Sequence, residues 1–251
     1  MNTQLKLRKK YTVTSADTDM FSRLKLSALV NYLIQSAISS AEKLGFGLKD
    51  LKEENLFWVL NRMTIEINRP VLWSEEIEVE TWPKNVERIF YIREFVIRDK
   101  NSNIIAKASS AWLAIDYNSK RPSNFNPEKI EIFTRLKGVD ALSYSPEKLG
   151  NINNNIQQHI TPSYFDIDLN KHVTSTRYVD WLMDLYPVEF HQENYPKIFS
   201  VNYIKETMHG ETIALSQQKD GNTHTFEGYN SAQEKVAMRA KITFDGSSDN
   251  N

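Results

Sequence analysis

The stretch FDIDLNKHV, Phe165 to Val173, carries a carboxylate, an amide and an imidazole at alternate positions, Asp168, Asn170 and His172. In an extended segment residues at i, i+2 and i+4 project to one side, so the three are expected to face one cleft. Histidine titrates near neutrality and an amide can orient a water or a carbonyl, which suits general acid–base chemistry. The next helix is expected to begin near Thr174, where free backbone N–H groups and the positive end of the helix dipole fit a developing oxyanion. The same residues have a plainer use. Asp168 and Asn170 can close Asx turns and cap the helix, with His172 left at the surface. Spacing alone leaves both open. A fourth residue, Glu206 in NYIKETMHGETI, stands where a strand is expected to end. A lone Glu there is ordinarily a solvated charge, and it gains interest only if the fold brings it to the other three.

Composition narrows the chemistry. The chain has no cysteine, which removes disulfides, thiolate metal sites and a thiol nucleophile. His159, His191, His209 and His224 are scattered, with no His-Glu-x-x-His pair, so no metal is expected. Neither a Gly-x-Ser-x-Gly elbow nor a phosphate-binding glycine loop occurs, which argues against an α/β hydrolase, a kinase or a dinucleotide enzyme, and no cofactor is expected. A net charge of −1 gives no global case for nucleic acid. No apolar run approaches membrane-spanning length, so no membrane insertion is expected. The basic start MNTQLKLRKK is not followed by an apolar signal-peptide core, and a cytoplasmic location is expected.

The elements that must position these residues are visible in the patterning. LKLSALVNYLIQSAISSAEKLG places Leu26, Leu29, Val30, Leu33, Ile34, Ala37, Ile38, Ala41 and Leu44 on one helical face, with Gly45 suited to the position after the end. Strands are predicted over Val59 to Asn68, Glu76 to Trp82, RIFYIREFVIRD and IIAKASSAWLAID. Residues 121–160, with the Asn-rich GNINNNIQQHI, read as a connector. The order then repeats. TRYVDWLMDLYP is helical, and IFSVNYIKE, ETIALSQQ, THTFEGYN and KVAMRAKITF are strands, with KDGN as a hairpin turn. The tail, 247–251, is expected to be disordered.

The halves also align. A shift of 149 lays DTDMFSRLKLSALVNYL over DIDLNKHVTSTRYVDWL, a shift of 136 lays WSEEIEVET over HGETIALSQ, and a shift of 131 lays IIAKASSAWL over KVAMRAKITF. Three alignments in order, each on matching elements, predict a tandem duplication. Each copy is a helix plus an antiparallel sheet, an α+β arrangement in which the helix buries its apolar stripe on the sheet. The predicted division is 1–120, a connector at 121–160, and 161–246. In the first copy Phe21 and Arg23 occupy the places of Asn170 and His172, and Pro70 that of Glu206. A purely structural turn has no evident need of that asymmetry.

At these residues the sequence resembles the acyl-acyl carrier protein thioesterases of plants and bacteria. The resemblance rests on DIDLNKHVTSTRYVDWLMD and NYIKETMHGET in the second copy. In the first copy it rests on WVLNRMTIEINRPVLWSEEIEVETWP and RDKNSNIIAKASSAWLAIDYNSKRP, and it covers roughly residues 5 to 245. It implies a tandem, or double, hotdog fold: two helix-plus-antiparallel-sheet domains in one chain, the first holding the acyl group and the second catalytic. It implies hydrolysis of fatty acyl-acyl carrier protein thioesters, with Asp168, Asn170, His172 and Glu206 as the catalytic set. Plant members often have a cysteine after the Glu and two asparagines where this chain has Thr174-Ser175; here Thr207 follows Glu206, so a thiol mechanism is closed.

In the implied mechanism Glu206 and His172 deprotonate a water, Asn170 orients it or the carbonyl, and the helix start holds the oxyanion. Attack by Asp168 through an anhydride is the alternative. Acyl carrier protein is acidic, and Lys6, Arg8, Lys9, Lys10 and Arg177 are candidate docking cations. The competing functions are an acyl-coenzyme A thioesterase and a non-catalytic acyl-binding hotdog. Tandem copies already supply the pair that single hotdogs make by dimerising, so a monomer or a homodimer is expected.

Overall fold

The computed structural model describes residues 5–125, 127–153 and 155–245; the tail expected to be disordered lies outside them. The chain divides into two compact units, Met1–Leu24 with Leu29–Pro146, and Lys25–Ala28 with Glu147–Asn251. The division falls inside the segment read as a connector. That segment also contains regular structure.

The first unit contains strands β1 (Leu7–Thr12), β2 (Leu56–Ile67), β3 (Glu76–Glu87), β4 (Phe90–Asp99) and β5 (Ile104–Asp116). It also contains helix α1 (Leu26–Lys43, its first residues counted with the second unit), the short α2 (Leu48–Glu53), the two-residue β6 (Pro122–Ser123) and α3 (Pro127–Thr134). The strands run β1-β3-β4-β5-β2, each pair antiparallel, with β6 against β5. α1 forms because its apolar positions recur at helical spacing, and Leu26, Leu29, Val30, Leu33, Ala37 and Ala41 are buried. Tyr32, Ser36 and Ser40 share the buried stripe, whereas Ile38, expected within it, is 46% exposed. Small serines let the helix approach closely; the Ser36 hydroxyl is satisfied by the Tyr32 carbonyl at 2.7 Å. Gly45 ends the helix at φ +78°, and the Phe46 N–H returns to the Ala41 carbonyl at 2.9 Å, closing the orphan carbonyls in a Schellman turn. Phe46 then joins Tyr91, Phe125 and Phe133 in an aromatic core.

The second unit contains β7 (Ile156–Ile160), α4 (Ser175–Met183), α5 (Val188–Glu193), β8 (Pro196–Tyr203), β9 (Ile213–Asp220), β10 (Thr223–Asn230) and β11 (Lys235–Phe244). Its sheet runs β8-β11-β10-β9-β7, again antiparallel throughout. Reversed, this is the strand order of the first unit, with β7 for β1, β8 for β2, β9 for β3, β10 for β4 and β11 for β5. The duplication thus extends to topology. α4 buries Tyr178, Val179, Trp181 and Leu182. Val179 and Leu182 are fully buried, and Leu182→Ala would cost about 2–5 kcal/mol. The helix ends at Met183, before the Pro187 expected to stop it; Pro187 instead precedes α5, where its fixed φ suits a helix start. The β9–β10 hairpin turns at Gly221, φ +54°, between Asp220 and its partner Thr223.

Candidate active site

The chain reaches the Asp168 segment through a short 3₁₀ turn, Tyr164–Asp166. Asp166 is buried, and its carboxylate accepts the Ser163 N–H at 2.7 Å, the Ser163 hydroxyl at 2.8 Å and Arg177 Nε at 2.6 Å. Burial opposes its ionisation, but these donors outweigh burial and hold it below the usual carboxylate range.

The extended geometry expected for Asp168, Asn170 and His172 is not adopted. Lys171 has φ +66°, which reverses the backbone, and the Asp168 N–H donates to the His172 carbonyl at 2.8 Å. Asp168 Oδ1 accepts two main-chain amides, from Asn170 at 2.8 Å and His172 at 3.2 Å. The Asp168 carboxylate is therefore directed at its own turn, as the Asx alternative requires. Neither Asp168 nor Asn170 caps α4; Thr174 is the N-cap and its side chain makes no cap bond. Asn170 is exposed and His172 half-buried, and neither side chain forms a hydrogen bond among the described residues.

Glu206 does come to this turn. The His172 backbone bridges Met208 and the Val173 N–H donates to the Thr207 carbonyl at 2.8 Å, which lays the loop after β8 beside the turn. The Glu206 carboxylate pairs with Lys205. Its pKa is lowered: burial works against ionisation, but Lys205, a backbone amide and the His172 imidazole outweigh it. Behind it, Glu211 accepts the Met208 N–H at 2.7 Å, Asn230 Nδ2 at 2.8 Å and Gln233 Nε2 at 2.9 Å, and Gln233 Nε2 also donates to the Glu206 carbonyl at 3.0 Å. Sequence reasoning missed this support. Its signal was present, since Glu211 aligns with Glu75, which accepts the Leu72 N–H at 2.8 Å in the same way.

The first unit repeats the turn atom for atom. Asp19 Oδ1 accepts the N–H groups of Phe21 and Arg23, both at 2.9 Å; the Asp19 N–H donates to the Arg23 carbonyl at 2.8 Å; Ser22 has φ +61°; and the Leu24 N–H donates to Val71 at 2.7 Å. The difference lies in the side chains. Asp19 Oδ2 is closed by the Arg23 guanidinium at 2.9 Å, and Pro70 offers no acid. In the second unit His172 replaces that arginine, leaving Asp168 Oδ2 without a side-chain partner among the described residues. A carboxylate, an amide and an imidazole then share the turn before α4, and the loop that carries Glu206 pairs with it. The N–H groups of Ser175 and Thr176 there have no acceptor among the described residues. Such a set can activate water beside an oxyanion site.

The candidate docking cations are mostly engaged. Lys6 and Arg8 pair with Glu80 at 2.9 and 2.7 Å, Arg177 with Asp166 and Asp180 at 2.6 and 2.7 Å, and Lys9 donates to the Ser39 hydroxyl at 3.1 Å; Lys10 is exposed. Among the described residues no cluster of three or more His, Asp or Glu could hold a metal ion, and no helix is long and apolar enough to cross a membrane.

Two helix-and-sheet units of one topology, with the polar turn at the helix start of the second, define a tandem hotdog protein. The family model for the acyl-ACP thioesterase N-terminal domain matches residues 4–133, and that for the C-terminal domain matches residues 150–250. The chain belongs to the acyl-ACP thioesterase family. It is 27% identical to an acyl-ACP thioesterase of Bacteroides thetaiotaomicron of solved structure, with a TM-score of 0.91 over 98% of this chain and 100% of the other. The 12:0-ACP thioesterase of Umbellularia californica shares the fold at 20% identity, with a TM-score of 0.80 over 96% of this chain and 97% of that one. A chloroplastic palmitoyl-acyl carrier protein thioesterase of Arabidopsis thaliana is 24% identical over 80% of this chain and 52% of its own length. The chain spans about half the length of the curated relatives it matches.

Proposed function

We propose that this protein hydrolyses fatty acyl-acyl carrier protein thioesters to free fatty acid and carrier thiol, terminating fatty acid synthesis in the cytoplasm. The observation that carries the reading is the pair of twin turns: one backbone device, inert in the first unit and furnished with Asn170, His172 and Glu206 in the second. In this reading Glu206 and His172 take a proton from water, which attacks the thioester carbonyl while Asn170 orients it. The oxyanion is held by the free N–H groups of Ser175 and Thr176, the C–S bond breaks, and the carrier thiolate leaves and is protonated. Water attack is favoured over attack by Asp168, because Asp168 Oδ1 is already committed to two amides, which lowers its nucleophilicity. The first unit is assigned to hold the acyl group, on the strength of an apolar cavity of about 60 Å³ lined by Ala37, Phe46, Trp58, Tyr91, Trp112 and Phe133 among others.

His172→Ala and Glu206→Ala are each expected to lower turnover by roughly 10²- to 10⁴-fold. Unchanged turnover would remove the catalytic assignment and leave a non-catalytic acyl binder. A single turnover in oxygen-18 water should place label in the product acid and none in an enzyme carboxylate. The engagement of Lys6, Arg8 and Arg177 in ion pairs keeps an acyl-coenzyme A thioesterase as the second reading. A panel of carrier-protein and coenzyme A thioesters separates the two: the proposal requires the carrier-protein substrates to be faster and steeply weakened by salt.

A further inference from the structure

The turn that carries Asp168, Asn170 and His172 is flanked by apolar side chains that the core does not use. Tyr164 is 79% exposed, Phe165 89% and Leu169 88%, and Met208, whose backbone bridges His172, is exposed as well. The rings of Tyr164 and Phe165 meet edge to face with centroids 5.2 Å apart. Leaving two aromatic rings in water is unfavourable, and a contiguous apolar patch beside a site marks a contact surface. The twin turn in the first unit is an internal control. Ser15–Asp17 forms the same 3₁₀ turn as Tyr164–Asp166. Its acidic residue likewise accepts the N–H three residues earlier, Asp17 from Thr14 at 3.1 Å and Asp166 from Ser163 at 2.7 Å. Where the second unit has Tyr164, Phe165 and Lys171, the first has Ser15, Ala16 and Ser22. Met20, 73% exposed, matches Leu169, so that apolar tip comes with the turn. The two rings and the cation are additions to the unit that holds His172. The backbone does not require them, since Ser22 takes φ +61° as Lys171 takes φ +66°. Lys171 is exposed and forms no ion pair among the described residues.

An occupant of this rim must leave Asn170, exposed between Leu169 and Lys171, open to substrate. A second copy of the chain seated here would cover that residue, and a lipid surface calls for a cluster of cations rather than one. A protein that itself bears the substrate meets both conditions. Two aromatic side chains bring roughly 300–500 Å² of contact area, against about 600 Å² per partner in a small transient interface. An exposed lysine beside them adds attraction for an acidic surface. We propose that Tyr164, Phe165 and Leu169, together with Lys171, form the docking surface for the acidic carrier protein that presents the acyl thioester. This rests on the reading of the protein as a carrier-protein thioesterase. It adds where the carrier is held, and that apolar contact holds it more than charge does, in keeping with the engagement of Lys6, Arg8 and Arg177 elsewhere.

The test installs the first unit's residues in the second. Tyr164→Ser combined with Phe165→Ala, and separately Lys171→Ser, are assayed on an acylated carrier protein and on the N-acetylcysteamine thioester of the same acyl group. The double substitution should lower kcat/KM on the carrier substrate at least about ten-fold, through KM, and leave the small thioester within about two-fold. Lys171→Ser should lower it roughly two- to five-fold at low salt and leave it unchanged at high salt. A labelled carrier protein holding the acyl group through an amide reports binding without turnover by fluorescence anisotropy. Its dissociation constant should rise in the double variant by the same factor as KM. An unchanged dissociation constant, or an equal loss on both substrates, would overturn the proposal. So would a rim that instead supports a dimer in sedimentation or binding to phosphatidylglycerol vesicles, either one lost in the double variant while carrier affinity stays. Should the double variant fail to fold, Phe165→Ala alone decides by the same readings. Rim-dependent carrier binding without turnover of either substrate would sink the hydrolase reading and leave this one standing. Turnover of both substrates with carrier affinity unmoved would do the reverse.

Discussion

Asp19 and Asp168 hold equivalent turns with the same oxygen, so substituting each separates scaffold from chemistry. Asp19→Ala should lower stability by about 1–3 kcal/mol, the scale of hydrogen bonds to a charged acceptor, and leave turnover intact. Asp168→Ala should lower stability comparably and turnover as well. Denaturant titrations paired with rates check both; an Asp19→Ala protein of normal stability would show that the amides do not depend on that carboxylate. At this scale the sequence was half legible. Residue types at 168, 170, 172 and 206 singled out the turn, and alternate spacing gave the wrong geometry. The left-handed φ at Lys171 is a backbone choice that a lysine does not advertise.

Among elements, β5, β10 and β11 span the predicted residues, although β10 buries His224 and Asn230 beside Phe226. β1 and β7 were missed for a physical reason. Both pair on one side only, and β1 carries Arg8, Lys9 and Lys10 while β7 is largely exposed, as unpaired sheet edges often are. The six-residue helices α2 and α5 are too short to display a stripe. The loop from Glu206 to Glu211 belongs to this scale, since Glu211 fixes it through Met208, Asn230 and Gln233. Glu211 is a positioning residue in this arrangement, so Glu211→Gln should reduce kcat about ten-fold or more with a smaller change in KM. Its counterpart Glu75→Gln, which breaks the contact to Arg69 at 2.9 Å, should reduce Tm without touching kcat. Equal kinetic effects from both would show that Glu211 acts through general stability.

For the whole molecule, the falling offsets between the halves exposed the duplication, because loops shortened while paired elements kept their length. The connector's two strands, β6 and β7, and its helix α3 stayed hidden among its polar residues. One property is summed over both units: Glu75, Glu80, Asp166 and Glu211 all have lowered pKa values. Burial alone would raise each, and the surrounding arginines, lysines, hydroxyls, amides and main-chain N–H groups outweigh it. A carboxylate with a depressed folded pKa contributes stability above its unfolded pKa, about 4, and loses it as pH falls through the folded value. The contribution of these four carboxylates should therefore be level near neutrality and decline below about pH 4. Asp166→Asn should flatten that decline while lowering the neutral plateau; a decline with the same slope would assign the acid sensitivity elsewhere.

The cage around Asp19 and Asp168 is made of main-chain amides, and a main-chain amide is supplied by every residue except proline. Positions 21, 23, 170 and 172 can thus change side chain while still closing the loop. The polypeptide carries a duplicate socket, wired in one place and blank in the other. Installing asparagine, histidine and glutamate at Phe21, Arg23 and Pro70 would reveal how much of a hydrolase is chassis and how much is cargo.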